Sequence, residues 1–210
     1  MSSPEPVRSL GELAALDPAT RDARELEWFA RVRTGDAQAF EALFRAYVDP
    51  LCSFAYSYVE SESQAQEIVQ DLFARLWERR ERLERPRSVR AYLYGATRNR
   101  VLNERRHARV EAAFRHRALR LEAAQATAPR PVPPEEDLHA GALAVAVERA
   151  VTELPPRCRE VFTLTRDQHL SYAEAADVLG ISPKTVEIHM GRALSLLRSK
   201  LSDWLPQQKA

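Results

Sequence analysis

Apolar and polar positions alternate with a helical period along most of this chain. After Asp36, whose carboxylate can cap a helix, Phe40, Leu43, Phe44 and Tyr47 follow the i, i+3, i+4, i+7 rule, and Leu51, Phe54, Ala55 and Tyr58 continue that stripe past Pro50. From about Ser63, Ala65, Ile68, Val69, Leu72, Phe73, Leu76 and Trp77 line one side of the most regular amphipathic segment. Arg85, Pro86 and Arg87 interrupt it, and a further helix is predicted from near Ser88, over SVRAYLYGATRNRVLNERRHAR. Residues 1–24 hold three prolines and no apolar period and are predicted to form a mobile tail. Residues 126–137, ATAPRPVPPEED, hold four prolines and predict an extended connector. Beyond it, Leu138, Ala142, Val145 and Arg149 precede a break at Leu154, Pro155 and Pro156, and Val161, Phe162 and Thr165 fit a short helix. The predicted fold is all-α, with a tail over 1–24, helical domains over 25–110 and 138–205, and a flexible proline-rich linker over 111–137.

The second domain is predicted to end in a helix-turn-helix, SYAEAADVLGISPKTVEIHMGRALSLLRSKL over 171–201. Ser171 and Glu174 have capping-box spacing, so a helix should begin at Tyr172, with Ala173, Ala176 and Leu179 on its buried side. Gly180 should end that helix in the left-handed conformation. Ser182 and Pro183 should start the next as N-cap and first helical residue. In that second helix Val186, Met190, Ala193, Leu194 and Leu197 face inward and Lys184, Thr185, Glu187, His189 and Arg192 outward. This is the layout of a helix that enters a DNA major groove. A plain helical hairpin with solvated charges would share the caps and the turn.

Composition narrows the options. An apolar fraction of 45% supports packed cores, and only six glycines accompany the helix-forming residues. Cys52 and Cys158 have neither CxxC nor metal spacing and read as buried thiols in a reducing cytosol, with a disulfide between them as the other reading. The five histidines form no metal-ligand pattern, and no serine or cysteine stands in a nucleophile motif; no catalytic residue, metal or cofactor is expected. No apolar run approaches the roughly 20 residues needed to span a bilayer. A cytoplasmic protein without membrane insertion is expected.

The net charge of +1, taken alone, argues against a nucleic-acid binder, but its distribution is uneven. The charged residues of 57–74 are Glu60, Glu62, Glu67 and Asp71, whereas 87–109 holds seven arginines against Glu104 alone. Two unlike surfaces imply two unlike partners. Along the basic segment Tyr92, Tyr94, Arg98, Asn99, Arg100, Asn103, Arg105 and Arg106 combine cations for phosphates with rings and amides for exposed bases, a set that suits single-stranded or melting DNA. A solvated arginine face with core tyrosines is the other reading of the same letters.

Four segments, in order and spacing, then carry a resemblance: FEALFRAYVDPLCSFAYSYV, SQAQEIVQDLFARLWERRERL, RSVRAYLYGATRNRVLNERR, and LPPRCREVFTLTRDQHLSYAEAADVLGISPKTVEIHMGRALSLLRSKL. From about residue 27 to 201 the chain resembles the sigma-70 family of bacterial RNA polymerase initiation factors, in particular the compact extracytoplasmic-function (ECF) group. The resemblance implies that Gln66, Gln70, Asp71, Arg75 and Trp77 dock on the clamp coiled coil of the polymerase large subunit, with the flap as a further contact. Arg87, Tyr92, Tyr94, Arg98, Asn99, Asn103, Arg105 and Arg106 would bind and help open the minus-10 promoter element. Ser182, Lys184, Thr185, Glu187, Ile188, His189 and Arg192 would read the minus-35 element. An anti-sigma protein is an implied further partner. Asn103 stands where the family commonly has aspartate, and Glu187, Ile188, His189 and Gly191 stand where relatives often carry arginine, serine or an aromatic, so no promoter sequence is carried over. SPKTVEIHMGRALSLLRSKL also resembles the LuxR-type helix-turn-helix, but such an activator needs an upstream sensing or receiver domain. A receiver alternates strands and helices, whereas residues 27–120 show helical periods throughout.

Overall fold

The computed structural model describes residues 16–119 and 140–204, with side chains described over 16–107 and 142–202 and at Trp204. Among these residues there is no strand. Contacts divide the chain into two compact units, the first reaching Ala108 and also including Asp177–Gly180.

The first unit opens with α1, Pro18–Arg33. Asp17 caps it, accepting from the Thr20 N–H at 3.1 Å, and Pro18 occupies a position where a missing N–H costs nothing. The tail expected over 1–24 therefore gives way to helix at Pro18; the rest of that prediction lies outside the described residues. Glu25, Trp28, Phe29 and Val32 form the buried side of α1. After Gly35, at φ +87°, Asp36 caps α2, Ala37–Val59, by accepting from the N–H groups of Gln38 and Ala39. Pro50 lies inside α2 without ending it, because Tyr47, Leu51, Phe54 and Ala55 anchor both halves in the core. Ser61 caps α3, Glu62–Glu78, whose Ala65, Ile68, Val69, Leu72, Phe73 and Leu76 are buried as the periodicity predicts. Aromatic edges join α2 to α3, with Phe44 and Phe73 centroids 5.0 Å apart and Phe40 and Trp77 also 5.0 Å. A short 3-10 turn, Arg80–Arg82, leads to α4, Val89–Leu119, capped by the Ser88 hydroxyl. The helix continues past 110, where the first domain was placed to end; most of the linker, residues 120–137, lies outside the described residues.

The second unit contains α5, Ala140–Thr152, α6, Pro156–Phe162, a π turn over Thr163–Asp167, α7, Tyr172–Leu179, as far as Ala176, and α8, Pro183–Lys200. Ala150, Leu154, Cys158, Ala193 and Leu197 form one buried cluster, so α5 and α6 give α8 its floor. The capping box is present in both directions: Glu174 N–H donates to Ser171 Oγ at 3.2 Å, and Ser171 N–H donates to Glu174 Oε2 at 2.9 Å. Gly180 is left-handed at φ +65°, and Ser182 accepts from the Thr185 N–H at 3.1 Å. One expected core position is wrong. Ala173 is exposed, and Ala175 and Val178 join Ala176 and Leu179 on the buried side, since helical spacing carries Ala173 to the side away from them. Both cysteines are free thiols, Cys158 buried and Cys52 half-buried.

Candidate nucleic-acid and partner-binding surfaces

Val89, Leu93, Tyr94, Thr97 and Val101 form the buried side of α4. Thr97 holds a core position by donating its hydroxyl to the Leu93 carbonyl at 2.9 Å, so no polar group is left unsatisfied there. Tyr94 is 1% exposed, with its ring edge-on to Phe54 at 5.1 Å, and burial pushes its hydroxyl well above the ordinary tyrosine range. It belongs to the core and not to a surface that meets DNA, which corrects the expectation for this residue. Tyr92, two positions earlier, points the other way. It is half-buried, resting one edge on Phe29 at 5.6 Å. The spacing 92, 99, 103, 106 brings Tyr92, Asn99, Asn103 and Arg106 to one side of the helix, and the last three are exposed. That stripe offers a ring, two amides and a cation. Arg98 and Arg105, seven residues apart, share a flank beside it, Arg98 half-buried and Arg105 exposed; Arg87 is exposed before the helix begins. Arg100 faces α3, where it pairs with Asp71.

The residues expected to dock the polymerase do not form one patch. Gln66, Gln70 and Trp77 share the edge of α3 nearer α2, and Gln66 and Gln70 line a groove there with Val48, Cys52 and Tyr56. Trp77 is half-buried under the Arg80 guanidinium, 4.6 Å above its ring. Asp71 and Arg75 take the opposite edge, facing α4, where Asp71 accepts from Arg75 Nε at 3.0 Å and also holds Arg100. Gln70 borders both edges, since it also lines the hollow containing Glu67, Asp71, Arg100 and Glu104.

Sequence reasoning missed a buried polar group that supports this unit. Glu25 of α1 is 2% exposed and accepts from the Tyr47 hydroxyl, with the Arg90 guanidinium of α4 contributing an attractive charge. Burial, opposed by that hydrogen bond and charge, raises its carboxyl above the usual range. The same surroundings hold Tyr47 well above its ordinary value, burial first and the Glu25 charge second. An acidic letter at an inward position conceals α1 from a search for apolar periodicity. The signals that could have found it are Asp17–Pro18 as a start and Thr34–Gly35 as a stop.

In α8 the buried seam is Val186, Met190, Ala193 and Leu197, with Leu194 half-buried. Directly opposite lie Lys184, Ile188, Gly191 and Ser195, with Arg192 close beside them. Ile188 is 60% exposed. Glu187 sits on one flank, where it accepts from Lys184 Nζ at 2.8 Å. Thr185 and His189 take the other flank and are half-buried, His189 with Nδ1 3.9 Å from Cys158 Sγ. Ser182 is committed to the cap. The outward group predicted from sequence is thus divided between an outermost row and two flanks.

Among the described residues no helix is long and apolar enough to cross a membrane, and no group of three potential ligands could hold a metal. The family model described as "Sigma-70 region 2" matches residues 43–110, and that described as "Sigma-70, region 4" matches residues 144–197. The chain is 32% identical to RNA polymerase sigma factor CnrH of Cupriavidus metallidurans, over 82% of this chain and 90% of that protein. It is 30% identical to ECF RNA polymerase sigma factor SigL of Mycobacterium tuberculosis, over 83% of this chain and 97% of the relative. A solved structure of CnrH in complex with the cytosolic domain of CnrY aligns with a TM-score of 0.60 at 26% identity, covering 86% of this chain and 98% of that one. Sigma factor RpoE in complex with the anti-sigma factor NepR from Bartonella quintana shares the fold, with a TM-score of 0.56 at 21% identity over 79% of this chain and 98% of that one.

Proposed function

The chain belongs to the sigma-70 family of RNA polymerase sigma factors, and we propose that it binds core RNA polymerase and directs it to a set of promoters without itself being an enzyme. In this reading the first predicted domain, 25–110, meets both the polymerase and the minus-10 element. The second, over 138–205, reads the minus-35 element, and 111–137 is the linker between them. Catalysis of RNA synthesis belongs to the polymerase, and the site of action is the cytoplasm. A regulatory protein partner is part of the proposal, in keeping with the CnrH relative solved with the cytosolic domain of CnrY.

The observation that carries the proposal is α8. All but its last three residues fall in the region 4 match, it is capped and backed by a buried seam, and it turns Lys184, Ile188 and Arg192 outward. Cations on such a helix engage phosphates while the residues between them meet base edges. In α4, Tyr92, Asn99, Asn103 and Arg106 supply stacking, amide bonding and phosphate neutralisation, which suit bases already leaving the duplex. Gln66 and Gln70 are the best-placed candidates for polymerase docking, because both are exposed along a groove. Asp71 also ties α3 to α4 through Arg100. Transcription in vitro with core polymerase, this chain and fragmented genomic DNA tests the reading. Start sites should appear that share two spaced upstream elements, whereas no start sites beyond those of core alone would refute it.

A further inference from the structure

Ile188 is the one large apolar side chain that α8 leaves exposed. Single exposed aliphatic residues are common on protein surfaces and by themselves imply nothing. What distinguishes this one is its seat. It lies at the centre of the face opposite Val186, Met190, Ala193 and Leu197, with Lys184 four residues before it and Arg192 four residues after it, one turn to either side. Both cations are exposed, so a helix laid against DNA by them brings Ile188 to the floor of the groove. Gly191, three residues on, adds room. A Cβ built there would meet nothing within 4 Å, so internal packing does not call for glycine, and its bare backbone leaves a low place beside Ile188.

An isoleucine can neither donate nor accept a hydrogen bond. Pressed against a purine edge or a cytosine amino group it would strip water from polar atoms and give nothing back. In the major groove the apolar partner is the C5 methyl of thymine. We propose that Ile188 is a specificity-determining residue that packs on a thymine methyl in the duplex element read by α8. The inference rests on the promoter reading above and adds the base class it selects. Lys184 and Arg192 hold the helix in place through phosphates, and Ile188 discriminates.

The test uses full-length chain with core polymerase on a promoter whose start site has been mapped. Each thymine of the upstream element is replaced in turn by deoxyuridine, which removes one methyl and keeps the pairing edge. At one position, or two adjacent ones, wild-type holoenzyme should lose about fourfold in affinity, the value of one buried methyl-sized group. Ile188→Ala holoenzyme should bind the thymine and uracil forms of that position equally. Ile188 is exposed and alanine is a better helix former, so the variant keeps its fold. The inference is overturned if every replacement is neutral for the wild type, or if Ile188→Ala retains the same loss. Deleting the upstream element separates the two levels of the account. Holoenzyme that needs the element but ignores its methyl groups refutes only the Ile188 assignment, whereas holoenzyme indifferent to the whole element refutes the promoter reading with it.

Discussion

Helices α4 and α8 both carry arginines outward, yet they present different chemistry. The outer stripe of α4 consists of a half-buried ring, two exposed amides and a cation, in Tyr92, Asn99, Asn103 and Arg106. The outermost row of α8 has no ring and no amide; it has Lys184, Ile188, Ser195 and Arg192 about a glycine. Rings and amides gain most from bases whose faces and pairing edges are open, while a narrow row of cations around one aliphatic group suits a closed groove. This contrast supports our proposal that the first helix meets melted DNA and the second duplex.

The supports of the two helices differ as well. Local signals define α8 and the turn before it: a capping box, a left-handed glycine, and a serine followed by proline. Tertiary packing against α1 and α2 sets the phase of α4.

Core truncation in the first unit should have the largest effect. Tyr94→Ala removes a fully buried ring and should cost on the order of 3 to 5 kcal/mol of stability. Its DNA defect should follow unfolding, as measured by thermal melts. A well-folded Tyr94→Ala protein with a specific opening defect would return Tyr94 to the DNA surface.

Next in size is loss of the exposed stripe. Tyr92→Ala should reduce promoter opening by roughly 5- to 150-fold, the range for one stacked base, with permanganate reactivity as the readout. Asn99→Ala should act in the same direction. Neither change should affect a duplex carrying only the minus-35 element. Equal losses on both DNAs would dissolve the contrast between the helices.

A smaller and more uniform effect is expected for Lys184→Ala and Arg192→Ala. Each should lower the slope of log affinity against log salt for the holoenzyme by about one. An unchanged slope would remove that side chain from the phosphate contacts.

The smallest expected effect concerns the support of α4. Burial raises the Glu25 carboxyl above its ordinary value, so the folded chain holds that proton more tightly than the unfolded chain. The contribution of this group to stability is therefore fully present below the ordinary value of 4.5 and is lost as pH rises through the raised one. Glu25→Gln cannot titrate, so the stability of wild type minus that of the variant should fall with pH across this interval in denaturant melts. A difference independent of pH would show that Glu25 is not held as described.

These unlike supports also explain what was legible in the letters. Caps and a glycine turn act within a few residues, so the sequence predicts Tyr172–Leu179 with its start and stop and Pro183–Lys200 with its start. The α3 stripe was equally plain because every inward position is apolar. The phase of α4 was not, since Thr97 occupies a core position through a hydrogen bond to its own helix, and only the rings of Phe29 and Phe54 separate the roles of Tyr92 and Tyr94. The first turns of α1 were hidden for a similar reason, with Glu25 standing where a hydrophobic residue would have marked the period. The division of Gln66, Gln70 and Trp77 from Asp71 and Arg75 follows from helical spacing, but the pairing of Asp71 with Arg100 required the packing of α3 against α4.

Promoter duplex titrated at physiological salt, with and without core polymerase, shows whether the chain acts only through the polymerase. The chain is nearly neutral, and Glu187 engages Lys184, one of the two cations that flank Ile188, so the protein alone should bind weakly. Core polymerase, by holding the two DNA-binding units at a fixed separation, should make binding tight and specific. Nanomolar promoter binding by the chain alone, above all as a dimer, would contradict the account and favour a LuxR-type activator.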